Sequence, residues 1–194
     1  PGNDSGALDA GATYIFRGPL MGTRSMASAD AIVVGESVDE AAGSVIDGTD
    51  ANDDGYADVL IGAPGSNRGG DASGAAYLFR GPLAGIRSVA LADAVFVGES
   101  PGDEAGTALA FAGDVDADGV GDLLIGAPGA DRSGEDSGAI YLFSGDVSDH
   151  VSLTDARATV VGAAGDEAGR AIAAGGDVNQ DGFADMVFGV AGDD

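Results

Sequence analysis

The same nine-residue acidic pattern, D-x-[DN]-x-D-G-x-x-D, occurs three times in this chain of 194 residues. The copies begin at residues 50, 114 and 177, so their spacing is nearly constant along the sequence. Internal repetition with a period of this order is typical of solenoids, propellers and arrays, in which each unit buries its apolar face against its neighbour. The chain is therefore predicted to contain one repeated architecture rather than several unrelated domains.

Other features recur with the same spacing as the acidic loops. Each repeat has a tyrosine in the pattern Ala-x-Tyr-[Ile/Leu]-Phe, an aspartate before an apolar run, and an Asp-Glu pair eleven residues before the loop. These landmarks are Tyr14, Tyr77 and Tyr141; Asp30, Asp93 and Asp155; and Asp39-Glu40, Asp103-Glu104 and Asp166-Glu167. We predict one region over 1-194, with repeats at approximately 1-63, 64-127 and 128-190, and 191-194 starting the next turn.

The acidic loops have the composition of calcium sites. Calcium takes six to eight oxygen ligands, and short Asp and Asn side chains around a glycine turn supply them. The EF-hand is the competing interpretation, but its twelfth loop position requires a glutamate, and here that position is Ile61, Ile125 or Phe188. The flanking segments are also Gly-rich and β-prone rather than amphipathic helices. The loops therefore predict three calcium sites per chain.

The charge balance restricts the possible partners. The formal net charge is −25, from 33 acidic residues against 8 basic ones, all of them arginine. A polyanion of this kind repels nucleic acid and anionic lipid, so neither is an expected partner. No apolar run approaches the roughly 20 residues that span a bilayer, so membrane insertion is not expected either.

The absence of cysteine means that no disulfide stabilises the chain, and bound metal is the predicted substitute. Weak calcium modules operate at the millimolar calcium concentrations found outside cells. The sequence begins with Pro1 and shows no signal peptide, as expected for a mature or excised product. We therefore expect an extracellular location, either secreted or at the cell surface.

The second repeat predicts four short strands. Its candidate segments are 106–112, 122–126, 138–143 and 158–162, rich in Ala, Leu, Ile and Val and separated by Gly, Asp, Ser and Pro. The acidic loop lies between the first two, so it is expected at the tip of a β-hairpin. Four antiparallel strands per repeat make the blade of a β-propeller, and the predicted fold class is all-β.

The repeated residues resemble a known family. The acidic loop followed by Gly62-Ala63-Pro64 or Gly126-Ala127-Pro128, with Gly-Ala-x-Tyr-[Ile/Leu]-Phe downstream, is similar to the FG-GAP repeat of integrin α-subunit N-terminal β-propellers and their bacterial relatives. In that family the side chains at loop positions 1, 3, 5 and 9 and the carbonyl at position 7 bind calcium. The ligands implied here are Asp50, Asn52, Asp54, the Tyr56 carbonyl and Asp58; Asp114, Asp116, Asp118, the Val120 carbonyl and Asp122; and Asp177, Asn179, Asp181, the Phe183 carbonyl and Asp185.

Some positions depart from the family pattern. The Phe-Gly dipeptide is replaced by Ala105-Gly106 and Ala168-Gly169, and is aligned with Ala41-Ala42 in the first repeat. The third Gly-Ala-Pro reads Gly189-Val190-Ala191. Asp47, aligned with Phe111 of the second repeat, is expected to face solvent; the alternative is that it adds to the nearby site.

The resemblance implies a propeller of four-stranded antiparallel blades, with about three repeats and with half-blades at both ends of the chain. Pro1 aligns with Pro64 and Pro128, so the N-terminal segment is expected to supply the two outer strands of a split blade. Propellers have 4 to 8 blades, which three units do not reach. Two alternatives remain open: a homodimer joined head to tail to give six blades, or the rest of a longer propeller.

The predicted function is a calcium-binding, non-catalytic extracellular module for adhesion, recognition or scaffolding, with a protein or glycan ligand. No single cluster of acid, base and nucleophile is visible, the repeated Asp-Glu pairs are expected to close turns, and His150 is expected in a solvated loop. The middle acidic loop has four carboxylates and is predicted to bind calcium most readily. The alternatives are the propeller part of a secreted hydrolase, or a structural repeat of an extracellular layer or filament.

Overall fold

The computed structural model describes residues 7–190, and within them the chain forms β-strands, three single-turn 3-10 helices and no α-helix. None of these helices has the length and apolarity that a membrane crossing would need. The segment 191-194, predicted to start the next turn, lies outside the described residues, as does Pro1. The strands are β1 Ala12–Ile15, β2 Ala31–Val34, β3 Val45–Thr49, β4 Asp58–Ala63, β5 Ala75–Phe79, β6 Gly85–Ser88, β7 Ala94–Val97, β8 Ala108–Gly113, β9 Asp122–Ala127, β10 Ala139–Phe143, β11 Asp149–Ser152, β12 Ala158–Val161, β13 Ala171–Gly176 and β14 Asp185–Gly189.

The strands form four sheets, which confirms the all-β prediction. Two sheets contain four antiparallel strands each, in the orders β3-β4-β5-β7 and β8-β9-β10-β12. The pair β1-β2 precedes them in the chain, and the pair β13-β14 follows them. The four strands of the second sheet lie at the four segments predicted from the second repeat.

Two further strands, β6 and β11, join the sheet of the preceding repeat. Strand β6 pairs in parallel with β2, and β11 pairs in parallel with β7, so each lies on the outer edge of a sheet formed by earlier residues. The sequence did not predict either strand. His150 lies in β11 opposite Val95, so its expected place in a solvated loop was wrong, although its side chain is exposed.

The hydrophobic core lies between successive sheets. One cluster joins Val33 of β2 to Tyr77 and Phe79 of β5, and a larger cluster joins Phe96 of β7 to Phe143 of β10. The rings of Phe96 and Phe143 are tilted by 52° with centroids 4.9 Å apart, a favourable aromatic contact. A third cluster connects the second complete sheet to β13 and β14. Each repeat is thus buried mainly by its neighbours, as the periodicity predicted.

Glycine allows adjacent sheets to approach closely. A Cβ atom on Gly126 of the second Gly-Ala-Pro motif would lie 2.1 Å from the Gly169 carbonyl oxygen, and Gly62 stands in the same relation to Gly106. Gly43 has φ +89°, and its N–H donates a hydrogen bond to the Gly62 carbonyl, as the Gly106 N–H does to the Gly126 carbonyl. The first-repeat equivalent of Ala105-Gly106 is therefore 42–43, and the alignment with Ala41-Ala42 was wrong by one residue. The cause is a β-bulge in β8 that the regular β3–β4 pairing lacks.

Arginine side chains tie each sheet to the following repeat. The Arg80 guanidinium donates to the carbonyl oxygens of Gly145 (2.7 Å) and Val147 (2.8 Å), and its backbone N–H donates to the Asp93 carboxylate. Arg17 makes the same type of contact one repeat earlier, to the Leu83 carbonyl. In both cases, an arginine of one sheet holds the segment that connects the last two strands of the next antiparallel sheet.

Candidate metal centre

Each acidic loop connects the two strands of a hairpin, and all three loops fold in the same way. The first aspartate accepts hydrogen bonds from the backbone N–H groups of the fifth and sixth residues. In the middle loop, Asp114 accepts from Asp118 and Gly119, both at 3.0 Å. Asp50 and Asp177 accept the equivalent bonds at 2.9 to 3.1 Å. The loop backbone therefore orients the first predicted ligand in every copy.

The third and fifth side chains are fixed by the same local pattern. Asp116 accepts from the Asp118 N–H at 3.1 Å, and Asp118 in turn accepts from the Val120 N–H at 2.8 Å. Asn52 and Asn179 replace Asp116, and Asp54 and Asp181 replace Asp118, with corresponding bonds of 2.8 to 3.0 Å. The sixth residue is glycine because the turn requires positive φ, which is +91° at Gly119.

The ninth residue closes the loop from its far side. Asp122 is buried, and its Oδ2 accepts from the Val115 N–H at 2.9 Å. Burial raises the pKa of Asp122, and the nearby negative charges of Asp118 and Asp114 raise it further. Its Oδ1 is buried without a hydrogen-bond partner. A buried carboxylate oxygen with no donor is the group that a cation would satisfy.

The corresponding residues of the outer loops differ in their surroundings. Asp58 is buried, and its two oxygens accept from the Gly81 N–H at 3.0 Å and the Ala51 N–H at 3.4 Å. Asp185 is half-buried and accepts from the Val178 N–H at 2.7 Å. In the third loop Asp177, Asn179 and Asp181 are exposed. This loop is therefore the most open of the three.

The middle loop brings carboxylates together most closely. Oxygen atoms of Asp114, Asp116 and Asp122 all lie within 4.8 Å of one another, and no other such group of three occurs in residues 7–190. Hard carboxylate oxygens suit calcium, and the orphaned Asp122 oxygen fits such an ion. At the seventh position, Val120 is half-buried and the side chains of Tyr56 and Phe183 are exposed. The side chains of Val120 and Phe183 have no oxygen, so at this position the backbone carbonyl is the only ligand that all three loops share.

Arg157 changes the charge of the middle loop. Its guanidinium forms an ion pair with Asp116. Arg157 also occupies the place of Asp30 and Asp93, because its N–H donates to the Leu142 carbonyl as theirs donate to Ile15 and Leu78. The predicted equivalence of Asp155 was therefore wrong. With Arg157 counted, the predicted ligands of the middle loop carry the same net charge as those of the other two loops, so ligand charge no longer ranks it first.

The repeated acidic pairs close turns before the inner strands. Asp103 accepts hydrogen bonds from the N–H groups of Glu99 and Ser100 at 3.1 and 2.9 Å. Glu40 does the same for Glu36 and Ser37, and Asp166 accepts from Ala163. One acidic side chain per repeat makes these bonds, as expected for a structural role. The equivalent residues are Glu40, Asp103 and Asp166, so the first pair was aligned one residue out of register.

Asp47 joins two inner strands instead of facing solvent. It is half-buried, and its carboxylate accepts from the Phe111 N–H at 2.8 Å. Asp47 lies opposite Leu60 across its hairpin. The equivalent of Leu60 is Leu124, which lies opposite Ala110. Asp47 is therefore equivalent to Ala110, and its alignment with Phe111 was wrong by one residue. With Asp50, Asp53 and Asp114, it lines a cleft of about 590 Å³ between the inner strands.

The sequence did not identify the polar partners of the buried tyrosines. Tyr77 donates its hydroxyl hydrogen to Glu40, and Arg68 donates to the same hydroxyl at 3.0 Å while lying over the ring. In the next repeat, Arg132 lies over Tyr141 and, with Glu99, lies near its hydroxyl, but that hydroxyl makes no well-aligned hydrogen bond. Burial raises the pKa of both tyrosines far above its usual range, which keeps them neutral.

Comparison with known proteins gives the same assignment as the loops. A family model described as FG-GAP repeat matches residues 42–79 and 105–143, each of which includes one acidic loop. The third loop lies outside both matched segments.

Similar curated proteins include integrins and an enzyme. Human integrin alpha-X is 33% identical over 169 residues, covering 82% of this chain and 14% of the integrin. Drosophila melanogaster integrin alpha-PS5 is 30% identical over 200 residues, covering 97% of this chain and 18% of that protein. Human phosphatidylinositol-glycan-specific phospholipase D is 38% identical over 104 residues, covering 50% of this chain and 12% of the enzyme.

The chain thus spans less than a fifth of each of these relatives. Each of the two matched segments contains part of one four-stranded antiparallel sheet and one of the three acidic hairpin loops. The chain belongs to the FG-GAP repeat family, and it resembles the integrin α subunits within that family.

Proposed function

We propose that this chain is a calcium-binding, non-catalytic β-propeller module that serves adhesion, recognition or scaffolding outside the cell. The observation that carries the proposal is the shared geometry of three acidic hairpin loops in a chain of the FG-GAP family. Its similarity to integrin α subunits supports an extracellular, adhesion-type module. Calcium is proposed to act structurally, by holding the hairpins in place.

The proposed ligands are the side chains at loop positions 1, 3, 5 and 9, and the carbonyl oxygen at position 7. Two features support this set: the carboxylates converge in the middle loop, and a buried Asp122 oxygen lacks a donor. Calcium, when bound, supplies positive charge to oxygens that otherwise repel one another. Its binding to the folded chain would then add to the free energy of unfolding.

We further propose that the sheets are propeller blades, one for each predicted repeat. Successive sheets pack face to face through the three core clusters, which supports a radial arrangement. The pairs β1-β2 and β13-β14 would be the two halves of a split blade. A second copy joined head to tail would complete this blade and give six blades, whereas the remaining part of a longer propeller would complete it within one chain.

The partner of such a module is proposed to be a protein or a glycan. Loops at sheet ends carry binding residues in many repeat proteins, because the sheets hold them rigidly while their sequences vary. A second candidate function is the propeller part of a secreted hydrolase, which the similarity to phosphatidylinositol-glycan-specific phospholipase D favours. In that case the catalytic residues would lie outside this repeat region.

Calcium titration calorimetry and thermal melting test the proposal together. We expect calcium to bind the chain and raise its melting temperature, and chelator to reverse the effect. Asp114→Ala should remove binding at one loop, while Asp131→Ala, an exposed residue outside the loops, should leave binding unchanged. Calcium-independent melting would contradict the calcium role. Binding to immobilised matrix glycoproteins or to a glycan array, in calcium and in chelator, tests adhesion separately.

A further inference from the structure

The outer edges of the sheets are covered in two repeats and open in the third. Strand β6 covers β2, and β11 covers β7, in the same parallel register. Strand β12 is the equivalent edge of the next sheet, because its pairing of Thr159 with Tyr141 matches that of Val95 with Tyr77. Within residues 7–190 no strand pairs with the outer edge of β12.

Side-chain exposure at this edge shows the same difference. Val160 is 38% exposed, whereas the equivalent Val33 and Phe96 are 1% and 0% exposed. An open edge strand with apolar residues is a site at which another strand adds, and proteins rarely leave such an edge uncovered. The acceptor is therefore the edge of β12, residues Ala158–Val161.

The same chain contains a strand that would cover this edge. Residues 22–25 read Gly-Thr-Arg-Ser and are equivalent to the Gly-Ile-Arg-Ser of β6. Gly22 has φ +67°, close to +69° at Gly85 and +66° at Asp149, the first residues of β6 and β11. Ser25 caps a 3-10 turn, as Ser88 and Ser152 do after β6 and β11. We name residues 22–25 the donor segment.

The donor segment already has the backbone shape of its equivalents, but it pairs with no strand in the described part of the chain. Its two flanking apolar side chains are also exposed: Leu20 by 56% and Met26 by 53%. The equivalent residues after β5, Leu83 and Val89, are 6% and 0% exposed because they pack against the preceding sheet.

We propose that the donor segment of a second copy adds in parallel to the edge of β12, in the register of the two internal pairs. Thr23 of the second copy would lie opposite Thr159, and its Leu20 and Met26 would pack near Val160. Residues 17–28 contain two arginines and no acidic residue, so this part of the surface is locally basic in a chain whose net charge is −25. The inference rests on the proposed head-to-tail assembly and names the residues that join it.

The arginine contact that accompanies the internal strand pairs is missing at this edge, so binding between copies is expected to be weaker than the contacts within the chain. Arg80 holds the following repeat through two carbonyls, but the equivalent residue of the third repeat is Ser144. The contact between copies should therefore be weaker than those within the chain, and dependent on protein concentration. Ser144→Arg should restore the arginine contact and shift the equilibrium towards the assembled form.

Paired cysteines test the register directly, because the chain has no cysteine of its own. The variant Thr23→Cys with Thr159→Cys is expected to form an interchain disulfide under mild oxidation. Ile32→Cys with Ile86→Cys is the matched control, since these residues are the equivalent pair within one chain and should form an intrachain disulfide. On a non-reducing denaturing gel, each single cysteine variant should remain at the mass of one chain after the same oxidation.

Mass in solution provides the second measurement. Light scattering of the unmodified chain in calcium should detect species of at least twice 18.7 kDa at high concentration, and Ser144→Arg should form them at lower concentration. A mass of one chain at every concentration, or a 23–159 disulfide within one chain, would overturn the inference. Calcium titration of the same samples is independent of assembly, so failure of the docking is distinguishable from failure of calcium binding.

Discussion

Replacing Asp122 by asparagine should stabilise the metal-free chain and weaken its stabilisation by calcium. Asp122 is the buried ninth residue of the middle loop, and one of its oxygens lacks a hydrogen-bond donor. Asparagine retains an oxygen to accept from the Val115 N–H and replaces the orphaned oxygen by an amide that donates to carboxylates. The substitution therefore removes a buried charge while it keeps the shape of the side chain.

The gain without calcium follows from the distances in the loop. Oxygens of Asp122 and Asp114 lie within 4.8 Å, and two unit charges at that separation repel by about 1 kcal/mol in water and about 3 kcal/mol at a protein surface. Asp116 adds little because Arg157 offsets its charge. For a chain of this size, 1 kcal/mol shifts the melting temperature by about 2–4 °C. We expect Asp122→Asn to melt at least about 2 °C above the unmodified chain in chelator.

The loss with calcium follows from linkage. Free calcium at 100 times the dissociation constant stabilises a folded protein by about 2.7 kcal/mol per site. If three loops bind equally, loss of calcium from the middle loop lowers the calcium-induced rise in melting temperature by up to about one third. The substituted residue thus acts with opposite signs in the two conditions, which a residue with only a packing role does not do.

Differential scanning calorimetry in chelator and in calcium measures both effects. Asp136→Asn is the control, because it removes the same charge from an exposed residue of another turn. A lower melting temperature of Asp122→Asn in chelator would refute the claim that the unpaired carboxylate is costly. An unchanged calcium-induced shift would refute its role as a ligand.

Three further predictions concern contacts between repeats. Gly126→Ala should lower the melting temperature by several degrees or prevent folding, and thermal melting by circular dichroism measures this. The cause is that the added Cβ would lie 2.1 Å from the Gly169 carbonyl oxygen, a backbone atom that cannot move away as a flexible side chain would. Arg80→Met should cost about 1–3 kcal/mol in urea unfolding, since two carbonyls of the next repeat lose a charged donor, and no loss would contradict the contact. Tyr77→Phe should cost about 1 kcal/mol because its hydroxyl is hydrogen-bonded to Glu40, whereas Tyr141→Phe should cost less because its hydroxyl makes no well-aligned hydrogen bond; equal effects of the two would contradict this difference.

The sequence predicted the features that depend on local pattern. The three acidic loops, their place in β-hairpins and the four strands of the second repeat follow from short-range turn chemistry and alternating apolar residues. In each case the physical cause lies within about ten residues of the pattern.

Features that depend on contacts between repeats were missed. Strands β6 and β11 are short and polar, and they exist because a neighbouring sheet presents an edge to them. The exchange of Asp93 for Arg157 in the third repeat was hidden by a nearby aspartate, and only backbone bonding reveals the true equivalence. A single bulge residue in β8 likewise shifted the alignment of Asp47 and of Ala41-Ala42. Repeats that differ in length by one residue cannot be aligned by sequence landmarks alone.

Calcium stoichiometry tests the central claim most directly. Isothermal titration of the metal-free chain, with a parallel variant in which Asp50, Asp114 and Asp177 are all replaced by alanine, counts the ions that the loops bind. The account predicts three calcium ions per unmodified chain and none at comparable affinity in the variant. Binding that is absent from the unmodified chain, or equal in both proteins, would contradict it.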